Sequence, residues 1–250
     1  MKRFSVITVC LNEAKSIRAT CDSICAQSYK DFEWIVIDGA STDGTKELLN
    51  EYSSSIHLLV SEPDKGIYNA MNKGASKAVG TYIIFMNGGD CFASSEALEQ
   101  ASQAKSAQLL YGDVYLGNQN GELKIYPDII EPGYLLNKMI PHQSTFYERA
   151  TFEAFGGYDE SFKIAADYDL NARLLEAECV THCHILHPIA IFDLKGISNS
   201  KDFRSLRKQE NHRIRKKYFK NYRYSMKCLR QEITNFISWV RRDKHCFFQS

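Results

Sequence analysis

Phe4-Ser-Val-Ile-Thr-Val-Cys10 and Phe32-Glu-Trp-Ile-Val-Ile-Asp38 are short apolar runs rich in β-branched and aromatic residues, and the segments around them decide the fold. Between them, residues 13–27 set Ile17, Thr20, Cys21, Ile24 and Cys25 at helical spacing. After them, Gly39-Ala-Ser-Thr-Asp43 is a loop with capping residues, and a helix is predicted over about 45–52. The unit repeats with a strand over 56–60, a helix over 66–78 and a fourth strand, Thr81-Tyr-Ile-Ile-Phe-Met86, ending at Asn87-Gly-Gly-Asp90. Strands alternating with helices predict an α/β fold with a doubly wound, mainly parallel sheet, whose ligands sit at the carboxyl ends of the strands.

Beyond a helix over 95–105 the pattern becomes mixed. Strand runs over 108–116 and 122–126 flank the turn signal Gly117-Asn-Gln-Asn-Gly121. A helix is predicted over 167–177, strands over 179–186 and 189–194, and one or two basic helices over 202–240. The expected organisation is an α/β body over residues 1–200 and a basic amphipathic helical extension over 201–250.

A chain of 250 residues with 44% hydrophobic, 24% charged and 12% aromatic residues can bury a core, which excludes fibrous and disordered classes. No stretch approaches the roughly 18–20 apolar residues of a membrane helix, and no signal peptide is read at the start. The expected location is the cytoplasm. Eight cysteines are too sparse for a disulfide scaffold and are expected to stay reduced. Cys179, Cys183, His182, His184 and His187 raise a zinc site, but their alternation is that of a strand with its side chains on opposite faces. Charge is strongly asymmetric. Residues 201–250 hold 15 Lys and Arg against 4 Asp and Glu, or +11; the whole chain is +1, so residues 1–200 carry −10.

Each of the first four strands ends in an acid or amide: Asn12-Glu13, Asp38, Glu62-Pro-Asp64 and Asn87 to Asp90. Such residues suit turns and caps. Four in succession at one sheet edge also suit a cation, or a ligand rich in hydroxyl and N–H donors. The loop Val9-Cys-Leu-Asn-Glu-Ala-Lys15 has no glycine for a dinucleotide pyrophosphate, and a phosphate-cradling Gly-Lys-Ser/Thr loop is absent.

Six segments then carry a resemblance: residues 4–13; Val36-Ile-Asp-Gly-Ala-Ser-Thr-Asp-Gly-Thr45; Asp64-Lys-Gly-Ile-Tyr-Asn-Ala-Met-Asn-Lys-Gly74; Met86-Asn-Gly-Gly-Asp90; Phe155-Gly-Gly-Tyr-Asp-Glu160; and Ala166-Asp-Tyr-Asp-Leu170. In this order they resemble the motif series of family-2 glycosyltransferases of the GT-A fold, over about residues 3–195. The resemblance implies an inverting, metal-dependent transferase of hexosyl type. It would take a nucleotide-sugar donor, most often a UDP-sugar, and glycosylate an acceptor hydroxyl. It further implies that Glu13, Asp38 and Asp64 line the base and ribose pocket, that Gly88 and Gly89 admit the sugar diphosphate, and that Asp90 binds a divalent metal, Mn2+ or Mg2+. Asp167 matches the general base, with Asp169 as the rival, since two positions along a helix turn the side chain away. Arg173 reads as a structural ion-pair partner, and Tyr158, Asp159 and Glu160 as the turn before the base loop.

Three departures from the family pattern stand out: Gly39 where a second acid is common, Asn87 where a first metal-motif Asp often stands, and Ala166 before the base. A single charged ligand implies weak metal affinity. Pro141-His142-Gln143 falls between the metal and base segments, and His142 is read either as structural or as holding diphosphate or acceptor.

The basic tail interleaves cations with aromatic and aliphatic residues. It can pack on the body, or meet an anionic membrane surface as an amphipathic anchor. The second option suits a lipid-linked saccharide acceptor in surface polysaccharide assembly (O-antigen, capsule or colanic-acid type) on the inner face of the cell membrane. Nucleic acid is not expected as a partner, because the body is acidic. The rival functions are a sugar nucleotidyltransferase, which needs a basic glycine-rich first loop, and a non-catalytic sugar-nucleotide binder.

Overall fold

The computed structural model describes residues 2–136, 138–177, 179–192 and 203–219. Strand β1 (Phe4–Cys10) is buried along its whole length and pairs in parallel with β2 (Phe32–Asp38), from Phe4 opposite Phe32 to Cys10 opposite Asp38. Both are continuous apolar runs because both faces of the sheet are covered. Helix α1 (Ile17–Cys25) buries Ile17, Thr20, Cys21 and Ile24, the predicted stripe. It starts later than predicted because residues 13–16 form a turn, in which Ser16 and Ile17 N–H both donate to Glu13 O. Then follow α2 (Thr45–Glu51), β3 (Leu58–Ser61), α3 (Ile67–Lys77) and β4 (Tyr82–Phe85).

The sheet runs β3-β2-β1-β4, all parallel, so the chain reverses its direction of winding between β1 and β4. Loops leaving these two neighbours diverge and open a crevice at the carboxyl edge. The mixed region follows: β5 (Cys91–Phe92), α4 (Ala97–Gln103), β6 (Leu109–Leu116), β7 (Leu123–Lys124), β8 (Thr145–Glu148), α5 (Arg149–Ala154), α6 (Ala166–Glu176), β9 (His182–Phe192) and α7 (Arg204–Tyr218). It extends the sheet as β4-β8-β6-β9-β5, with β8 antiparallel to β4 and β6, and β9 parallel to β6.

Two expectations change. The predicted strands over 179–186 and 189–194 are one strand, β9, interrupted by a bulge: Ile185 pairs with Gly112 and Pro188 with Asp113, so Leu186 and His187 are squeezed out and exposed. Leu194 lies outside the described residues. His184 carries no zinc-type cluster; its ring nitrogens meet Asp113 Oδ1 and Asp128 Oδ1, each at 2.9 Å, and it stacks on Tyr111 at 5.2 Å.

The second concerns the basic extension. Helix α7 packs on the body, with Ile214 and Phe219 fully buried, so these residues belong to the same core as residues 1–192. For this stretch the amphipathic face is spent on protein rather than left for lipid. The tail cations beyond this helix, from Lys220 through Lys244, lie outside the described residues. No helix among the described residues is long and apolar enough to cross a membrane.

Candidate active site

A cleft of about 440 Å³ opens at the switch point between β1 and β4. Its wall includes Glu13 and Asp64, Gly88 and Asp90 after β4, and His142 and Asp167. These six sequence-predicted residues are therefore brought together from segments far apart in the chain. Asp38 and Gly89 are not part of this wall. Asp38 is fully buried at the end of β2, where its carboxylate accepts Ser41 N–H at 3.1 Å and the Ser61 hydroxyl at 2.6 Å. Gly89 donates its N–H to Thr20 Oγ1 at 3.0 Å, tying the 87–90 loop to α1.

Two glycines explain how close the acidic loops come. A Cβ on Gly39 would stand 2.7 Å from Asp64 Oδ2, so a side chain there would displace Asp64. One on Gly88 would stand 2.9 Å from Glu13 Cγ and 3.3 Å from Cys10 Cβ. Cys10 also lines the cleft, but burial, and next the Asp38 carboxylate, push its thiol far above the usual range. It stays a neutral thiol and offers no nucleophile.

Asp167 is the second residue of α6, where the helix dipole favours an anion. One oxygen accepts the Tyr68 hydroxyl at 3.3 Å and the Tyr168 N–H at 2.8 Å. The other faces His142 Nδ1 at 3.5 Å. His142 Nε2 lies 3.1 Å from Asn87 Nδ2. Because the Asn87 amide nitrogen only donates, Nε2 accepts and the ring proton sits on Nδ1, directed at Asp167. Burial, and then the Asp167 carboxylate, hold the Tyr68 phenol well above its usual pKa, so it remains a donor.

Asp169 is placed apart. Its side chain is buried under α7, ion-paired with Arg173 at 2.8 Å, and it accepts the Tyr218 hydroxyl at 3.1 Å. The two acids of Ala166-Asp-Tyr-Asp-Leu170 thus face different surroundings, the open cleft for Asp167 and an ion pair within α6, covered by Tyr218 of α7, for Asp169.

The surroundings of Asp90 fit a divalent cation. Gln143 Nε2 donates to Asp90 Oδ2 at 3.0 Å, and the buried oxygens Asn87 Oδ1 and Gln143 Oε1 have no hydrogen-bond partner. A carboxylate with two amide oxygens is the donor chemistry of a hard cation such as Mg2+ or Mn2+. No group of three or more His, Cys, Asp or Glu gathers as a metal cage among the described residues, so water and ligand oxygens would complete the shell.

Sequence reading passed over Tyr68, Lys163, Arg207 and Asn211, all in the cleft wall. Tyr68 had a signal, its place with Met71 and Ala75 on the buried stripe of α3. Arg207 and Asn211 had none, since only the docking of α7 brings them there.

A mainly parallel sheet with a switch-point crevice walled by strand-end carboxylates is an α/β fold of GT-A type. The chain belongs to glycosyl transferase family 2, whose model matches residues 5–155. It is 29% identical over 205 residues to a PGL/p-HBAD biosynthesis glycosyltransferase of Mycobacterium bovis, covering 79% of each chain. Among solved structures it resembles S. aureus TarS in complex with UDP-GlcNAc (TM-score 0.63, 18% identity, 76% of this chain and 58% of that one). It also resembles the mannosyltransferase PcManGT of Pyrobaculum calidifontis in complex with GDP-Man and Mn2+ (TM-score 0.61, 18% identity, 79% and 58%). The chain thus spans about three fifths of these two solved proteins.

Proposed function

We propose that the protein is an inverting glycosyltransferase that moves one sugar from a nucleotide-sugar, UDP-linked in the first instance, to a hydroxyl of a lipid-linked saccharide. The observation that carries this reading is Asp167, held by Tyr68 and His142 in the wall of the cleft that Glu13, Asp64 and Asp90 also line. Glu13 and Asp64 accept hydrogen bonds from the base and ribose, a role supported by their position in the cleft wall, and Asp38 shapes the loop beneath them. The acceptor hydroxyl gives its proton to Asp167 as its oxygen bonds to the anomeric carbon. The bond from that carbon to the diphosphate breaks with its electron pair leaving on the diphosphate, and a single displacement inverts the centre. A divalent cation, when bound by Asp90 with the Asn87 and Gln143 oxygens, supplies Lewis-acid stabilisation of the leaving diphosphate.

The lipid-linked acceptor is supported by the apolar residues of the cleft wall, including Leu11, Ile67, Met139 and Phe192. Exposed Lys208 and Lys216 on the outer face of α7 support a peripheral seat on the inner face of the membrane. Calorimetric titration with UDP, GDP and dTDP, with and without Mn2+, tests the donor site. One nucleotide is expected to bind in a metal-dependent way, and Asp90→Ala to weaken it. Equal binding by the variant removes the metal assignment, and binding of none removes the donor site.

A further inference from the structure

We propose that helix α7 forms a wall of the active site and that its Arg207, together with Lys163, binds a phosphate group of a substrate. This rests on the transferase reading above and extends it to a helix beyond residues 5–155, the part matched by the family model. Residues 207, 210, 211, 214 and 218 recur at spacings of three and four, so they share one face of α7. That face is turned inward: Ile214 is fully buried, Glu210 is buried, and Tyr218 reaches Asp169 on α6.

Glu210 fixes the docking. A buried carboxylate must spend its charge on donors. Here one oxygen accepts Lys163 N–H at 2.7 Å and the other accepts Ile164 N–H at 3.0 Å. Both donors lie in the short segment that leads into Asp167. Arg213 adds a second tie, stacking over Phe162 at 4.3 Å and donating to Ser161 Oγ at 3.0 Å. With the helix so held, Arg207 and Asn211 enter the cleft wall beside Lys163, Asp167 and Tyr168.

Charge then selects the ligand. The cleft wall carries the carboxylates of Glu13, Asp64, Asp90 and Asp167, which alone would repel a phosphate. Lys163 and Arg207 supply positive charge on the Asp167 side, and a guanidinium matches paired phosphate oxygens. That phosphate belongs either to the donor diphosphate or to the headgroup of a lipid-linked acceptor.

The test compares wild type, Arg207→Ala and Arg207→Lys by calorimetry in Mn2+. The probes are UDP, UMP and uridine, then farnesyl phosphate against farnesol at saturating UDP, with thermal midpoints as a check on folding. A donor role predicts that Arg207→Ala weakens UDP about 10- to 100-fold while uridine is unchanged, with Arg207→Lys in between. An acceptor role predicts unchanged UDP and the same loss for farnesyl phosphate but not farnesol. Arg207→Ala that matches wild type for UDP and for farnesyl phosphate overturns the proposal alone. A wild type that binds none of the probes overturns the transferase reading and this proposal with it.

Discussion

At the scale of single residues, the cleft separates acids of one chemical type by what surrounds them. Asp167 has Tyr68 and His142 as donors, whereas Asp169 is consumed by Arg173 and Tyr218. Asp167→Asn is therefore expected to lower turnover by about 10²- to 10⁴-fold with nucleotide affinity unchanged, measured by transfer assay beside calorimetry. His142→Ala, which removes the Nδ1 donor to Asp167, should cost roughly 10- to 100-fold in kcat by letting the carboxylate swing. His182 offers a stability test away from the cleft. It accepts Ile130 N–H at 3.2 Å, and burial lowers its pKa below the ordinary 6.5. Its contribution is fully present above that ordinary value and is lost as pH falls through the lower folded value, because the unfolded chain then binds the extra proton. Urea midpoints of the wild type should accordingly drop more from neutral to mildly acidic pH than those of His182→Gln; parallel curves would exclude the role.

At the scale of elements, the site depends on how loops are clamped to helices. Asn72 on α3 donates to Tyr158 O at 2.9 Å and to Glu160 Oε1 at 3.0 Å, and accepts Tyr158 N–H at 3.0 Å. The Asn72 in the 64–74 segment and the Gly-Gly-Tyr-Asp-Glu segment are thus two halves of one contact, which the sequence shows only as separate strings. Asn72→Ala leaves backbone groups of Tyr158 unsatisfied and should cost about 1–3 kcal/mol, read as a shifted urea midpoint. Gly88→Ala presents a different case. Its Cβ would press on Glu13 Cγ at 2.9 Å and stand 3.2–3.3 Å from the Cβ atoms of Glu13 and Cys10, which are fixed to the backbone, so both nucleotide binding and stability are expected to weaken. Calorimetry and a melt on the same sample distinguish binding from folding.

At the scale of the whole molecule, α7 closes the body rather than trailing from it. Ile214→Ala should destabilise by about 2–5 kcal/mol and lower the melting temperature, a loss not expected of a free surface helix. With its apolar face buried, this helix can meet a membrane only through its outer cations. Binding of the full chain to phosphatidylglycerol vesicles should therefore weaken sharply as salt rises to about 0.5 M, where exposed charges are screened. Cosedimentation that ignores salt would point instead to apolar insertion.

The strand–helix alternation through β4 was legible because period and composition are local: β1 and β2 begin and end where their apolar runs do. The acids at the strand ends were legible for the same reason, since a parallel sheet sends every strand's carboxyl end to one edge. Strand β8 and the bulge in β9 were not, because an antiparallel insertion and its register depend on partners distant in the chain. The different surroundings of Asp167 and Asp169, the retreat of Asp38 from the cleft wall and the arrival of Arg207 were likewise decided by tertiary packing. Residue type and spacing specify which groups a segment can offer; only the docking of α6, α7 and the 141–143 segment across the sheet determines which of them meet.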